Sequence, residues 1–239
     1  MQKLLRKLFK SQNDNIYDLI SKDDSDGIKR LLETGQDPNE PDEFGQTPIF
    51  RVVYNKTKNQ EVLLKLLIKF GAMLNARKSD GATPIFHARG NVARLLLEAG
   101  ADINIKSFNN ATPLHYSHDK ETTNILINHG LDINAKDDTF KTPLHNYVYF
   151  GSDLVEYAIQ NGAEVNAIDM NGWTPLICLS QNQYVQEKDW SEILKKAEAL
   201  IHSGAQLDVT DKLGKTAYDH SLEAGNRALA NWLKQEHKN

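Results

Sequence analysis

The chain has 239 residues, of which 40% are hydrophobic and 25% charged, the composition of a folded soluble protein rather than of a disordered one. A net charge of −4 lacks the strong positive charge of a nucleic-acid-binding domain, and the single cysteine, Cys178, excludes an internal disulfide. The charge therefore predicts no nucleic-acid partner. Since no stretch approaches the ~20 apolar residues of a membrane span, we expect a cytoplasmic protein.

The first predicted element is a basic amphipathic segment, residues 1–13. Between Met1 and Lys10 it carries four basic residues and no acidic one, so the rest of the chain has a net charge of −8. Leu4, Leu5, Leu8 and Phe9 share one face of a predicted helix. That face suits a membrane surface or, alternatively, covers the helices that follow, and the second interpretation is favoured because so short a helix is marginal in water.

Residues 14–46 are predicted to form a capping helix pair and a first loop. One short helix carries Ile16, Leu19 and Ile20, the next carries Ile28, Leu31 and Leu32, and the polar turn Ser21 to Gly27 joins them. A row of repeats needs ends whose outer faces tolerate water, which is the role we assign to this pair.

A repeated spacing of glycine and threonine then dominates the sequence. A glycine precedes a threonine by twelve residues six times, at Gly35/Thr47, Gly71/Thr83, Gly100/Thr112, Gly130/Thr142, Gly162/Thr174 and Gly204/Thr216. Four residues after each glycine stands an asparagine or, once, Asp208. A period of about thirty residues predicts a stacked-repeat protein, and residues 47–215 are taken as five repeats.

Each recurring residue has a structural reason. Glycine beyond an apolar helical run provides the positive φ that ends a helix, and Thr-Pro begins the next helix, because threonine caps free N–H groups and proline needs no donor there. The eleven residues between them, rich in Asn, Asp, Gly and Lys, predict a protruding loop, which we call a finger.

The repeats differ in length only between threonine and the next glycine. Successive threonines lie 36, 29, 30, 32 and 42 residues apart. The Thr83 repeat is short in its first helix or in the turn after it. The Thr174 repeat carries an insertion at 180–192, and long insertions in repeat proteins often lie near the binding face. Residues 216–239, with Ala217 in place of proline and a polar tail, are predicted to cap the C-terminal end.

Thr112-Pro113-Leu114-His115, Thr142-Pro143-Leu144-His145 and the stretch Gly100 to Asn104 resemble the ankyrin repeat. The resemblance implies an all-α solenoid of about seven helix pairs with short β-hairpin fingers and a concave face that binds other proteins. It also implies a bond from the threonine to the histidine side chain. Because the histidine is replaced by Phe50, Phe86, Ile177 and Asp219 in the other repeats, we expect that bond in two repeats only.

Candidate partner-binding residues follow by position in the family pattern, from the fingers and from the first helix of each repeat. They are Phe44, Arg51, Arg77, Lys78, His87, Lys106, Phe108, Tyr116, Asp137, Phe140, Asn146, Tyr149, Met170, Trp173 and Trp190. Solvent-facing aromatic and arginine side chains are the usual energetic anchors of interfaces. The alternative is that each finger aromatic folds back and stiffens its neighbour.

Catalytic and metal-binding patterns are weak by comparison. His115 and His118 have the spacing of two metal ligands on a helix, but a closed site needs four ligands, and no phosphate-binding glycine loop occurs. Cys178 and His145, one repeat apart, lack an orienting group and an oxyanion hole, so Cys178 is interpreted as a small core residue. We therefore expect no cofactor and no metal.

The sequence thus predicts a monomeric, non-enzymatic module that binds a partner protein, with Tyr116, Phe140, Trp173 and Trp190 as candidate anchors. Two more specific roles stay open: an antitoxin-like immunity protein that neutralises a cognate toxin, and a secreted effector that binds a host protein. An enzyme would need a polar cluster in a cleft.

Overall fold

The computed structural model describes residues 15–181 and 190–237, which fall into two compact units, one ending at Phe108 and the other beginning at Asn109. The predicted amphipathic segment 1–13 and most of the insertion at 180–192 lie outside the described residues.

Unit 1 contains three consecutive pairs of helices. They are α1 (Ile16–Ser21) and α2 (Ser25–Glu33), α3 (Pro48–Tyr54) and α4 (Gln60–Lys69), and a 3-10 helix (Pro84–Phe86) followed by α5 (Gly90–Glu98). The apolar side of each element is buried against its neighbours, with Ile20, Ile28, Ile49, Leu64 and Leu96 fully enclosed. The first helix of the Thr83 repeat is a single 3-10 turn, the short element that its spacing predicts.

Unit 2 continues the same alternation. It comprises a 3-10 helix (Pro113–Tyr116) and α6 (Lys120–Asn128), α7 (Pro143–Tyr147) and α8 (Ser152–Gln160), α9 (Pro175–Ser180) and α10 (Trp190–His202), and α11 (Ala217–Glu223) with α12 (Arg227–Glu236). α8 packs against α10, and α9 against α11, so helices contact the corresponding helix of the next repeat as well as their own partner. The helical architecture is as predicted.

The fingers are closed turns. In one of them the Asp137 N–H donates to the Lys141 carbonyl at 3.0 Å and the Phe140 N–H donates to the Asp137 carbonyl at 2.9 Å. No β-strand occurs in the part of the chain that the structure describes, so the expected hairpins are tight turns there.

The predicted glycine stops are confirmed. All six glycines have φ between 85° and 96°, the left-handed conformation that ends a helix. At Gly71 the glycine N–H donates to the Ile68 carbonyl and the Ala72 N–H to the Leu67 carbonyl, the two bonds that close a Schellman turn.

The two Thr–His pairs are present, and their tautomer follows from their partners. Nδ1 of His145 accepts the Thr142 N–H at 3.1 Å and contacts its hydroxyl at 2.9 Å, while Nε2 lies 3.0 Å from the Trp173 carbonyl and must carry the proton to donate to it. His115 repeats this arrangement with Thr112 and the Lys141 carbonyl.

The Thr–His bond thus occurs in the two repeats where it was expected, and the last repeat closes its cap with a different side chain. There the Asp219 carboxylate accepts both the N–H and the hydroxyl of Thr216, at 2.8 and 2.7 Å, because a carboxylate oxygen reaches the same donors as an imidazole nitrogen. Where phenylalanine replaces histidine, the buried hydroxyls of Thr47 and Thr83 have no hydrogen-bond partner among the described residues.

The first turn also differs from the prediction. Gly27 does not belong to a long polar turn: α2 begins at Ser25, capped by the Asp24 side chain, and Gly27 is buried inside it. A Cβ at this position would lie 2.9 Å from Leu19 and closer still to the Asp24 carboxyl group, so the absence of a side chain allows α1 and α2 to approach.

The recurrent asparagines hold consecutive repeats together. The Asn134 side chain donates to the Gly162 carbonyl at 2.9 Å and accepts the Glu164 N–H at 2.8 Å. Asn166 makes the same pair of bonds to the next repeat, and Asn39 makes it in unit 1. Only a primary amide provides a donor and an acceptor side by side on so short a side chain, which explains why asparagine recurs.

Asn134→Ala is expected to lower the free energy of unfolding by about 1–2 kcal/mol, because two inter-repeat hydrogen bonds are lost. Asn128→Ala is the matched control, since the exposed Asn128 amide donates to Asn124 in its own helix. Chemical denaturation of both variants measures the difference, and equal stabilities would contradict the bridging role.

Burial of His145 lowers the pKa of its imidazole, although the hydrogen bond to the Trp173 carbonyl opposes this. The unfolded chain therefore binds a proton more readily, and stability should fall as the pH drops below about 6.5, levelling off below the lower folded pKa. His145→Gln should flatten the dependence between pH 7 and 5, whereas His202→Gln, at an exposed position, should not. A slope unchanged in His145→Gln would contradict the assignment.

Candidate protein-binding surface

Backbone hydrogen bonds join the fingers of unit 2 in a regular series. The Asp138 N–H donates to Asn109, Met170 to Thr139 and Lys212 to Asn171, at 3.0, 2.8 and 3.0 Å. Each bond links one finger tip to the next, so the tips form an ordered row.

An aspartate at the start of the turn organises three of these tips. Oδ1 of Asp137 accepts the N–H groups of Thr139 and Lys141, and Asp169 and Asp211 do the same in the next two fingers. Asp137, a predicted binding residue, thus has one carboxylate oxygen engaged by its own turn.

Apolar side chains project from this row. Phe140, Met170 and Leu213 are exposed, Leu213 to 77%. Phe140 and Met170 were predicted from the sequence; Leu213 was missed, although it occupies the same turn position as the predicted Phe44.

Phe140 has an unusual backbone conformation. Its φ is 61°, and the corresponding residue of every other finger is a glycine or Asn110. A bulky side chain in the left-handed region is strained, and its ring is 56% exposed, so burial in this chain does little to offset that strain.

Trp173 folds back onto the last repeat. Its indole N–H donates to Asp211 Oδ2 at 3.3 Å, and its ring meets the His220 ring edge-on. The same oxygen accepts from His220 Nε2 at 2.9 Å, and His220 Nδ1 accepts from the Gln181 amide. Burial raises the pKa of the Asp211 carboxyl, but these and the turn hydrogen bonds outweigh it and bring the pKa to about 2.

The predicted first-helix residues of unit 2 have different surroundings. Asn146 donates to the His115 carbonyl at 3.0 Å, Tyr149 is exposed, and Tyr116 and Trp190 are half-buried. Burial raises the pKa of the Cys178 thiol to about 12, so the thiol stays protonated at neutral pH.

In unit 1 the structure brings Lys78 and His87 together around Tyr54. Lys78 Nζ donates to the Tyr54 hydroxyl at 2.9 Å, and the Tyr54 and His87 rings lie 4.8 Å apart. Arg51 lies 3.7 Å from Asp42, within a loose ion pair.

Three other predicted residues of unit 1 form a second contact group. Arg77 donates to the Gly81 and Lys106 carbonyls, and its guanidinium lies over the Phe108 ring, which packs beside Gly81 yet remains exposed. Phe44 is the remaining one and is 74% exposed at its finger tip, so it is not folded back.

Two further features concern the possibilities of a metal site and of a membrane-spanning helix. Both ring nitrogens of His115 are hydrogen-bonded, so this histidine offers no lone pair to a metal, and the described residues contain no group of three or more potential metal ligands. Among the same residues, no helix is long and apolar enough to cross a membrane.

Comparison with known proteins agrees with this architecture. The family model described as ankyrin repeats (3 copies) matches residues 17–107 and 114–187, more than half of the chain. The ankyrin repeat-containing protein P1E11.10 of Schizosaccharomyces pombe is 38% identical over 72 residues, which cover 30% of this chain and 33% of that protein. The match therefore spans about a third of that relative.

The Asp211 network yields a test. Because the folded pKa of Asp211 lies below the unfolded value of about 3.9, its contribution to stability is present above that value and is lost as the pH falls toward 2. Asp211→Asn should be less stable than wild type at pH 7, and the gap should shrink near pH 3. Asp208→Asn, on the same finger but exposed, is the control. A gap of the same size at both pH values in denaturation experiments would contradict this assignment.

Proposed function

Because the chain belongs to the ankyrin-repeat family, we propose that it is a non-enzymatic module that binds a partner protein through its finger tips and first helices. Ankyrin repeats are in general protein-protein interaction modules. On this proposal the seven helix pairs comprise five repeats and a capping pair at each end of the row, and no cofactor takes part.

Preorganisation supports this role. Backbone hydrogen bonds join the finger tips of unit 2, and the side chains of Asn134 and Asn166 fix each repeat to the next. A surface that is already ordered loses little conformational entropy on binding, so a few well-placed side chains can provide the affinity.

The observation that carries the proposal is Phe140. Glycine or asparagine would relieve the strain of a positive φ at this turn position, and the phenylalanine ring remains more than half exposed. A residue that imposes local strain while much of its side chain stays exposed points to a role outside the fold. We assign that role to contact with the partner, together with the neighbouring Met170 and Leu213.

Trp173 contributes differently in this proposal. Asp211 and His220 fix the orientation of its indole ring, so the partner would contact a side chain that is already ordered. Tyr116, Asn146, Tyr149 and Trp190 extend the proposed surface onto the first helices and the start of α10.

Phe140→Gly should separate stability from binding. Glycine adopts a positive φ without strain, so the free energy of unfolding should rise by about 1 kcal/mol, measured by chemical denaturation. Loss of the ring should weaken partner capture by roughly tenfold, equivalent to about 1.4 kcal/mol, measured by quantitative mass spectrometry after affinity purification from the native source.

Val62→Ala provides the comparison, since Val62 is an exposed apolar residue on α4, away from the finger tips. It should leave capture unchanged. Undiminished capture by the Phe140→Gly protein, or equal weakening in both variants, would remove Phe140 from the interface.

A further inference from the structure

The second finger of unit 1, residues 72–82, departs from the turn chemistry of four other fingers. Asp42, Asp137, Asp169 and Asp211 each begin their turn with an N–H that donates to the carbonyl four residues on, and each accepts backbone N–H groups with its carboxylate. In the second finger the same position holds Lys78, whose N–H donates to the Ala82 carbonyl at 2.9 Å.

Lys78 is not needed to build this turn. Asp80 provides a carboxylate instead, accepting the Ala82 N–H at 2.9 Å. The Lys78 ammonium reaches back to the first helix of the preceding repeat, where it donates to the Tyr54 hydroxyl at 2.9 Å and lies 5.4 Å from the Tyr54 ring centroid. A lysine at a position where four other fingers carry aspartate therefore places a cation beside an exposed tyrosine.

This contact determines what the tyrosine can bind. When the hydroxyl oxygen accepts from Lys78, the O–H of Tyr54 is left to donate, and its favoured acceptor next to a cation is an anion. Arg51 lies three residues before Tyr54 on α3, which puts both side chains on the same helix face, and the His87 ring packs against the tyrosine.

Arg51 and Lys78 each form an open ion pair with a finger aspartate. The Arg51–Asp42 and Lys78–Asp80 pairs both have N···O distances of 3.7 Å, longer than a hydrogen bond. Open, partly exposed pairs of this kind contribute little stability, so a carboxylate from outside can compete with them at small cost.

We propose that Arg51, Tyr54, Lys78 and His87, the Tyr54 patch, bind an acidic segment of the partner protein, with a glutamate or aspartate carboxylate accepting from the Tyr54 hydroxyl and the Lys78 ammonium. The inference deepens the proposed function and rests on it. It assigns to unit 1 a charge preference that the apolar finger tips of unit 2 do not provide.

The test is an NMR titration of the isotope-labelled full chain with an end-blocked decapeptide of alternating Glu and Ala. The Glu peptide should shift the amide signals of Tyr54, Lys78 and His87 in a saturable way, and salt should weaken binding because it screens the charges. The same peptide with Gln in place of Glu should bind at least tenfold more weakly.

Two variants with the same change of charge identify the site. Lys78→Asp installs the residue that four other fingers carry, so it should fold normally and reduce the affinity for the Glu peptide at least tenfold. Lys65→Asp, at an exposed position of α4, should leave the affinity within twofold of wild type.

Any of three outcomes would overturn the proposal: equal binding of the Glu and Gln peptides, equal loss in both lysine variants, or displacement of the peptide by inorganic phosphate at equal concentration, which would indicate a small-anion site. Because the titration reports on the Tyr54 patch alone and partner capture by Phe140→Gly reports on unit 2, failure of one is distinguishable from failure of the other.

Discussion

The asparagine side chain that spans two repeats is the contact on which the rest of the structure depends. A single helix pair cannot enclose its own apolar face, so each pair must be held in register against the next pair. The Asn134 amide does this by bonding two backbone groups of the next repeat at once. These are the carbonyl of Gly162, the glycine that ends the helix, and the N–H of Glu164, two residues later. The glycine sets the chain direction, and the asparagine fixes where the next repeat begins.

This register leaves the finger tips free to vary. The turn of each finger is held by a side chain at its base, Asp137 in one case and Asp80 in another, and by single backbone bonds to its neighbour. The residues at the outermost positions contribute little to either set of contacts. Phe140 and Lys78 can therefore break the local pattern of their positions without disturbing the helices beneath.

The helix boundaries could be predicted because their determinants are local. Glycine with a positive φ and Thr-Pro act within one turn of the chain, so their spacing revealed the repeats directly. The role of Asn134 could not be predicted in this way, since its partners lie about thirty residues further on. The Thr–His bonds were expected from the histidines alone, but the cap at Thr216 was not anticipated, because the geometry requires only an acceptor, which Asp219 provides.

The sequence could place the candidate residues on fingers and first helices, but it could not predict their contacts. Position in the repeat indicated that Phe140, Trp173 and Lys78 stand on fingers. It did not indicate that Phe140 has a positive φ, that Trp173 is tied to Asp211, or that Lys78 reaches Tyr54. Those distinctions depend on side-chain direction and on contacts between neighbouring repeats, which a single sequence does not reveal.

The small number of hydrogen bonds between consecutive tips also bears on motion. The helices of each unit are secured by extensive apolar packing, whereas only one backbone bond, such as that from Met170 to Thr139, and a few side-chain bonds join neighbouring tips. Amide protons at the tips should therefore exchange with solvent through small local openings, at a fraction of the free energy needed to expose the helical amides. A protein that binds this surface would therefore contact finger tips that move locally on rigidly packed helices.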